Sequence, residues 1–150
     1  MIAVITKAPG WYELYIKQGQ ILPGGQATLL SEQPILLSEN RKRLIIFWAT
    51  WCGPCSIELS RINRMIINGE LKPEAVLAIS SGENRPLVQN VVADRKYLFP
   101  VAVDEAGLLA QTYKISGTPT LFFVSEKNII EWTAMGISPT LEFRIKNFFN

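Results

Sequence analysis

The chain has 150 residues, 48% of them hydrophobic, enough to enclose one full core and too few for two domains of ordinary size. Its 15 basic and 13 acidic residues leave a net charge of +2 and are interspersed, so no block suits nucleic acid or an anionic membrane, and the expected partners are proteins. No stretch approaches the roughly 20 apolar residues of a membrane span, and Met1–Ala8 lacks the charged start and long apolar run of a signal peptide; the chain is then either cytosolic or accompanied by a signal or membrane anchor outside the numbered residues.

Residues 1–25 are the least patterned part. Trp11, Tyr12, Leu14, Tyr15 and Ile16 are apolar, but Pro9-Gly10 and Pro23-Gly24-Gly25 interrupt them, which suits an N-terminal extension or tether packed on a domain of residues 26–150. Ala27–Leu30 and Ile35–Leu37 are short strand-like runs around Ser31-Glu32-Gln33-Pro34 and read as an N-terminal β-hairpin. Arg41-Lys42-Arg43 reads as a solvated turn. It leads into Leu44-Ile45-Ile46-Phe47-Trp48, an unbroken apolar run of the kind that forms a central parallel strand covered on both faces.

The only two cysteines follow in Trp51-Cys52-Gly53-Pro54-Cys55. Downstream, Cys55, Leu59, Ile62 and Ile66, with Met65 beside them, recur at the spacing of one buried helix face, so the pair straddles a helix N-terminus. Pro54 fits a first turn, where its missing N–H is harmless, and Gly53 allows a tight turn between the sulfurs. Cys52, at the tip, meets the positive end of the helix dipole and unsatisfied amide donors, which favour thiolate over thiol; Cys55, a turn further in, is expected to be buried. That asymmetry makes Cys52 the nucleophile on a substrate disulfide and Cys55 the thiol that resolves the mixed disulfide. Other uses of the pair are weaker. A structural zinc site needs about four ligands, and the chain has no histidine and no third cysteine. A static disulfide across so short a loop removes little unfolded-state entropy. Two thiolates suffice for a soft ion such as Cu(I), so a copper chaperone, or a redox-inactive binding module, stands as the alternative function; no cofactor and no resident metal are expected.

Glu58 shares a helical face with Cys55. It reads either as a helix-stabilising carboxylate near a positive helix end or as the acceptor of the proton that Cys55 must lose. Asn68-Gly69 reads as a helix stop and Ala75–Ser80 as a second buried strand. Pro86 opens a helix with Val88, Val91 and Val92 inward, Phe99–Val103 is a strand, Asp104-Glu105-Ala106-Gly107 a turn and Leu108–Tyr113 a short helix. Strands alternating with helices imply parallel pairing. Thr120–Ser125 and Ile129–Thr133 then flank Glu126-Lys127-Asn128 as an antiparallel edge hairpin, and Ser138-Pro139 opens a last helix with Leu141, Ile145 and Phe148 on one face. The expected fold is α/β, a central mixed sheet flanked by helices on both faces. Pro119, entering a central strand in Gly117-Thr118-Pro119-Thr120, cannot donate to the ladder; the bond before it is either an ordinary trans turn, the commoner form of a lone X–Pro, or a cis Thr118–Pro119 that would turn this backbone toward the cysteines.

Trp-Cys-Gly-Pro-Cys at the end of a buried strand, followed by Gly-Thr-Pro-Thr before another, resembles the thioredoxin fold. With Phe47-Trp48-Ala49-Thr50, Glu58, Ala78-Ile79-Ser80-Ser81-Gly82-Glu83 and Phe99-Pro100-Val101-Ala102-Val103-Asp104, the order and spacing are similar to the TlpA-like family, bacterial extracytoplasmic thiol–disulfide oxidoreductases that include the DsbE-type proteins of cytochrome c maturation. The resemblance runs from about Gly25 to the C-terminus. It implies a nucleophile at Cys52, a resolving thiol at Cys55, an active-site carboxylate at Glu58 and a cis proline at Pro119; Trp51, Gly53, Pro54, Thr118 and Pro119 are expected to meet the substrate. It also implies protein disulfides as substrates, an upstream dithiol donor, and a periplasmic or outward-facing location. Two departures stand out: Ile46 occupies the place of the buried thioredoxin aspartate, and Ser60 that of a common helix proline. The Gly-Pro dipeptide is that of thioredoxin, which lies at the reducing end of the dithiol scale and points to a reductant.

Overall fold

The five apolar residues Leu44–Trp48 offer no polar face, so their strand can be housed only where both of its sides are covered. That is where β3 (Arg43–Trp48) lies, with every residue buried, at the centre of the computed structural model, which describes residues 18–150. The other strands are β1 (Gln26–Leu29), β2 (Pro34–Leu36), β4 (Val76–Ser81), β5 (Val101–Asp104), β6 (Thr120–Val124) and β7 (Ile130–Met135). They form one sheet in the order β2-β1-β5-β4-β3-β6-β7. The middle three run parallel, with Phe47 opposite Ile79 and Ile79 opposite Ala102. Both flanks are antiparallel, β6 and β7 on one side and β1 and β2 on the other.

The helices are α1 (Gly53–Ile67), α2 (Arg85–Arg95), α3 (Leu108–Thr112) and α4 (Leu141–Phe149). Because side chains alternate along a strand, β3 feeds two cores. Leu44, Ile46 and Trp48 pack with Leu59 and Ile62 of α1, Val88 of α2, and Leu141 and Ile145 of α4, whereas Ile45 and Phe47 pack with Leu109 of α3, Tyr113 and Leu37 on the other face. Each fully buried aliphatic side chain contributes about 1.5–3 kcal/mol of transfer free energy, so the two cores hold the helices against the sheet. No described helix is long and apolar enough to cross a membrane.

Several boundaries differ from those expected. Arg43 is not in a solvated turn: it is 1% exposed, opens β3, and donates to the Leu36 and Leu37 carbonyls while pairing with Glu39, so its charge is compensated inside the fold and burial lowers its pKa. β5 begins at Val101 rather than Phe99, because Pro100 has no N–H to offer; its carbonyl instead accepts from Ala78 N at 3.0 Å. The last helix begins at Leu141, since the backbone of Ser138 is bonded to side chains of α1. Of residues 1–25, those before position 18 lie outside the described residues. In the remainder, Ile21 bridges Ile129, Gly19 N donates to Ile130 O at 2.7 Å, and Leu22 is buried.

Candidate active site

β3 ends at Trp48, and within a few residues the chain must turn into α1. Thr50 holds this turn in place. Its N–H donates to Glu83 Oε1 at 2.9 Å, its hydroxyl to Glu83 Oε2, and its carbonyl accepts from Arg95 at 3.1 Å. Ser80 Oγ fixes the same carboxylate at 2.7 Å. Neither Glu83 nor Arg95 is legible in the sequence as part of the site, because the contacts join residues 33 and 45 positions apart. One signal was available: Glu83 follows the C-terminal end of a parallel strand, the side on which open α/β sheets build their sites.

Cys52 is the N-cap of α1, in extended conformation, and its Sγ accepts from Cys55 N at 3.2 Å. Pro54 lies in the first turn and side-chain space at Gly53 is open. Cys52 and Cys55 form a disulfide, with their Cα atoms 5.2 Å apart. Both are buried, Cys55 at 0% and Cys52 at 5%, but Cys52 adjoins the exposed Trp51 at 79%. Gly53 and Pro54 are exposed beside it.

The second wall comes from the far half of the chain. β6 pairs with β3 so that Thr120 faces Phe47, which brings the preceding loop over the sulfurs. The Thr118–Pro119 bond is cis, and the Thr118 carbonyl lies 3.5 Å from Cys52 Sγ. Thr120 Oγ1 donates to Gly117 O at 2.6 Å, and the Pro119 carbonyl accepts from Gly136 N at 2.9 Å, so the loop is bonded despite the missing proline donor. Between Trp51 and Thr118 opens a cleft of about 290 Å³, walled by Phe47, Ala110 and Ile115 and edged by Glu83.

Glu58 is 0% exposed and carries an ion pair. One oxygen meets Arg61 at 2.8 Å and the other accepts from Ser138 N at 3.2 Å, while Arg61 also donates to Ser138 O at 2.7 Å. The carboxylate is thus tied to the loop before α4. Ile46, where thioredoxin has its acid, is buried and apolar. Among the described residues, no group of three or more His, Cys, Asp and Glu side chains is placed to hold a metal ion. Trp51, Cys52, Gly53, Pro54, Cys55, Thr118 and Pro119 are therefore gathered at one end of the sheet.

The chain is 30% identical over 112 residues to sporulation thiol-disulfide oxidoreductase A of Bacillus subtilis, covering 73% of this chain and 68% of that protein. It is 32% identical over 110 residues to thiol-disulfide oxidoreductase ResA of Bacillus thuringiensis, covering 72% and 64%; the chain thus spans about two thirds of the length of these relatives. A crystal structure of a thiol:disulfide interchange protein DsbE from Chlorobium tepidum superposes with a TM-score of 0.76 at 22% identity, covering 88% of this chain and 94% of that one, and shares its thioredoxin-like fold. The Redoxin family model matches residues 17–147, and with a Cys-x-x-Cys disulfide at the tip of α1 the chain belongs to the Redoxin family, as a thiol–disulfide oxidoreductase of the thioredoxin-like fold.

Proposed function

We propose that the protein reduces disulfides of partner proteins on the outward face of a bacterial membrane, with Cys52 as nucleophile, Cys55 as resolving thiol, and an upstream dithiol protein restoring both. The observation that carries the reading is the asymmetric disulfide: Cys52 at the N-cap with the Cys55 amide on its sulfur and Thr118 O at 3.5 Å, Cys55 fully buried. In the reduced protein, the Cys55 N–H and the helix N-terminus stabilise negative charge on Cys52. The thiolate attacks one sulfur of the partner, the partner S–S bond breaks, and its second sulfur leaves and takes up a proton. Cys55 then loses its proton and attacks Cys52; the Cys52–Cys55 bond forms, and the first partner sulfur leaves and is protonated. Two electrons pass from the protein dithiol to the partner. Trp51, Gly53 and Pro54 form the exposed rim, and the Thr118 backbone offers an edge on which an extended partner segment can pair. Glu58 is assigned the proton of Cys55, directly or through water. The Gly-Pro dipeptide supports the reducing direction, and the similarity to TlpA-like proteins supports the location.

With dithiothreitol as donor, the wild type should precipitate insulin well ahead of dithiothreitol alone. Cys55→Ser should stall with insulin bound to Cys52, releasable by excess dithiothreitol, and Cys52→Ser should neither turn over nor trap. Insulin reduction at the background rate, or retention of turnover in Cys52→Ser, would refute the proposal.

A further inference from the structure

We propose that the cleft beside the disulfide selects partner segments carrying a cationic side chain next to the attacked cysteine, and that Glu83 is the group that reads it; this rests on the reducing role proposed above. The cleft opens between Trp51 and Thr118, and the Thr118 carbonyl lies 3.5 Å from Cys52 Sγ. An extended chain advances about 3.3 Å per residue, so the residue adjacent to a cysteine held at Cys52 arrives at the mouth of the cleft.

The walls are apolar at Phe47, Trp51, Ala110 and Ile115, which suits the methylene stem of a lysine or arginine. Among the described residues lining the cleft, Glu83 alone is charged. Its oxygens accept from Thr50 N, the Thr50 hydroxyl and the Ser80 hydroxyl. These are neutral donors. Arg95 donates to the Thr50 carbonyl and to Tyr97 Oη and is not among the residues lining the cleft. A half-buried carboxylate held in place by neutral donors, at the edge of an apolar slot, attracts a cation and repels an anion, and such complementarity sets partner choice more than overall affinity.

The test uses symmetric disulfide-linked peptide dimers that differ only in the residues flanking the cysteine, which are Lys, Gln or Glu. Second-order rate constants for oxidation of reduced protein are measured for the wild type and for Glu83→Gln, which retains the shape and one oxygen to accept from Thr50 N and Ser80 Oγ, while its amide nitrogen donates to the Thr50 hydroxyl. A flanking lysine also makes any peptide thiol a better leaving group, and dividing the wild-type Lys-to-Glu ratio by that of Glu83→Gln removes this intrinsic effect. The quotient is expected to be about fivefold at low salt, the size of one partly solvated charge pair, and to shrink as salt shortens the screening length. A quotient of one would overturn the proposal. Should Glu83→Gln fail to fold, the wild-type ratio divided by that for reduced dithiothreitol gives the same decision: a salt-sensitive excess supports selection, and equality overturns it. If no peptide and no insulin is reduced, the reducing role falls and the selection with it; if every peptide is reduced at equal corrected rates, only the selection falls.

Discussion

At Glu58, two descriptions of one carboxylate meet. Its place behind Cys55 on α1 suits a proton acceptor, whereas the bonds it makes are those of a buried strut between α1 and the loop before α4. Glu58→Gln separates them. Removing the charge leaves Arg61 with the Ser138 carbonyl and a looser contact to Glu142 at 3.4 Å, so unfolding free energy should drop by about 2 kcal/mol, the range of a hydrogen bond to a charged group, read from urea titration. If Glu58 also accepts the Cys55 proton, resolution of a preformed Cys52 mixed disulfide will slow in the variant and its pH profile between about pH 5 and 9 will change shape; matching profiles would leave the strut alone. Residues whose role is set by local chemistry were the ones visible in the sequence. Cys52 and Cys55 announce themselves by spacing, and Thr118-Pro119 by a proline at a strand entrance, but Glu83 and Arg95 act on Thr50 through contacts that no periodicity records.

Among the elements, those with a strong period were readable. β3 and α1 follow from their apolar patterns, and the β6–β7 pair from two runs around Glu126-Lys127-Asn128, where Asn128 adopts positive φ. Less readable was what β1 and β2 lie against, because short strands carry no address: only the structure sets β1 against β5, with Thr28 opposite Val103. The segment leading into β1 is held by Tyr113, just beyond α3, whose hydroxyl donates to the Pro23 carbonyl. Burial pushes the Tyr113 hydroxyl well above its usual range. An unfolded tyrosine releases its proton near about pH 10, while the folded one retains it. The corresponding stability is therefore complete below about pH 10 and declines as pH rises from there through the folded value. Tyr113→Phe should flatten this alkaline decline, measured as the difference between urea midpoints at about pH 8 and pH 11; an identical decline in both proteins would show that the Tyr113 hydroxyl does not couple to folding.

For the whole molecule, the informative feature is how far apart in sequence the two walls of the site lie. Cys52 Sγ and the Thr118 carbonyl are 66 residues apart along the chain, and they meet only because β6 is laid against β3 in one register. The alternation of strands and helices, the mixed sheet and the helices on both faces all follow from pattern; that these two loops share one end of the sheet follows from the resemblance and from the register of β6 against β3. A site divided in this way has no half-formed version. Neither the first hundred residues nor the last fifty could present a sulfur and a backbone edge to the same partner, so catalytic competence is a property of the cooperative unit, not of the helix that bears the cysteines. Turnover should then serve as a gauge of global order. Along a urea gradient, the fraction of insulin-reducing activity, corrected for denaturant effects on the substrate, should fall on the same curve as far-ultraviolet ellipticity. Activity vanishing well before the ellipticity would mean that the two loops part company while the sheet still stands.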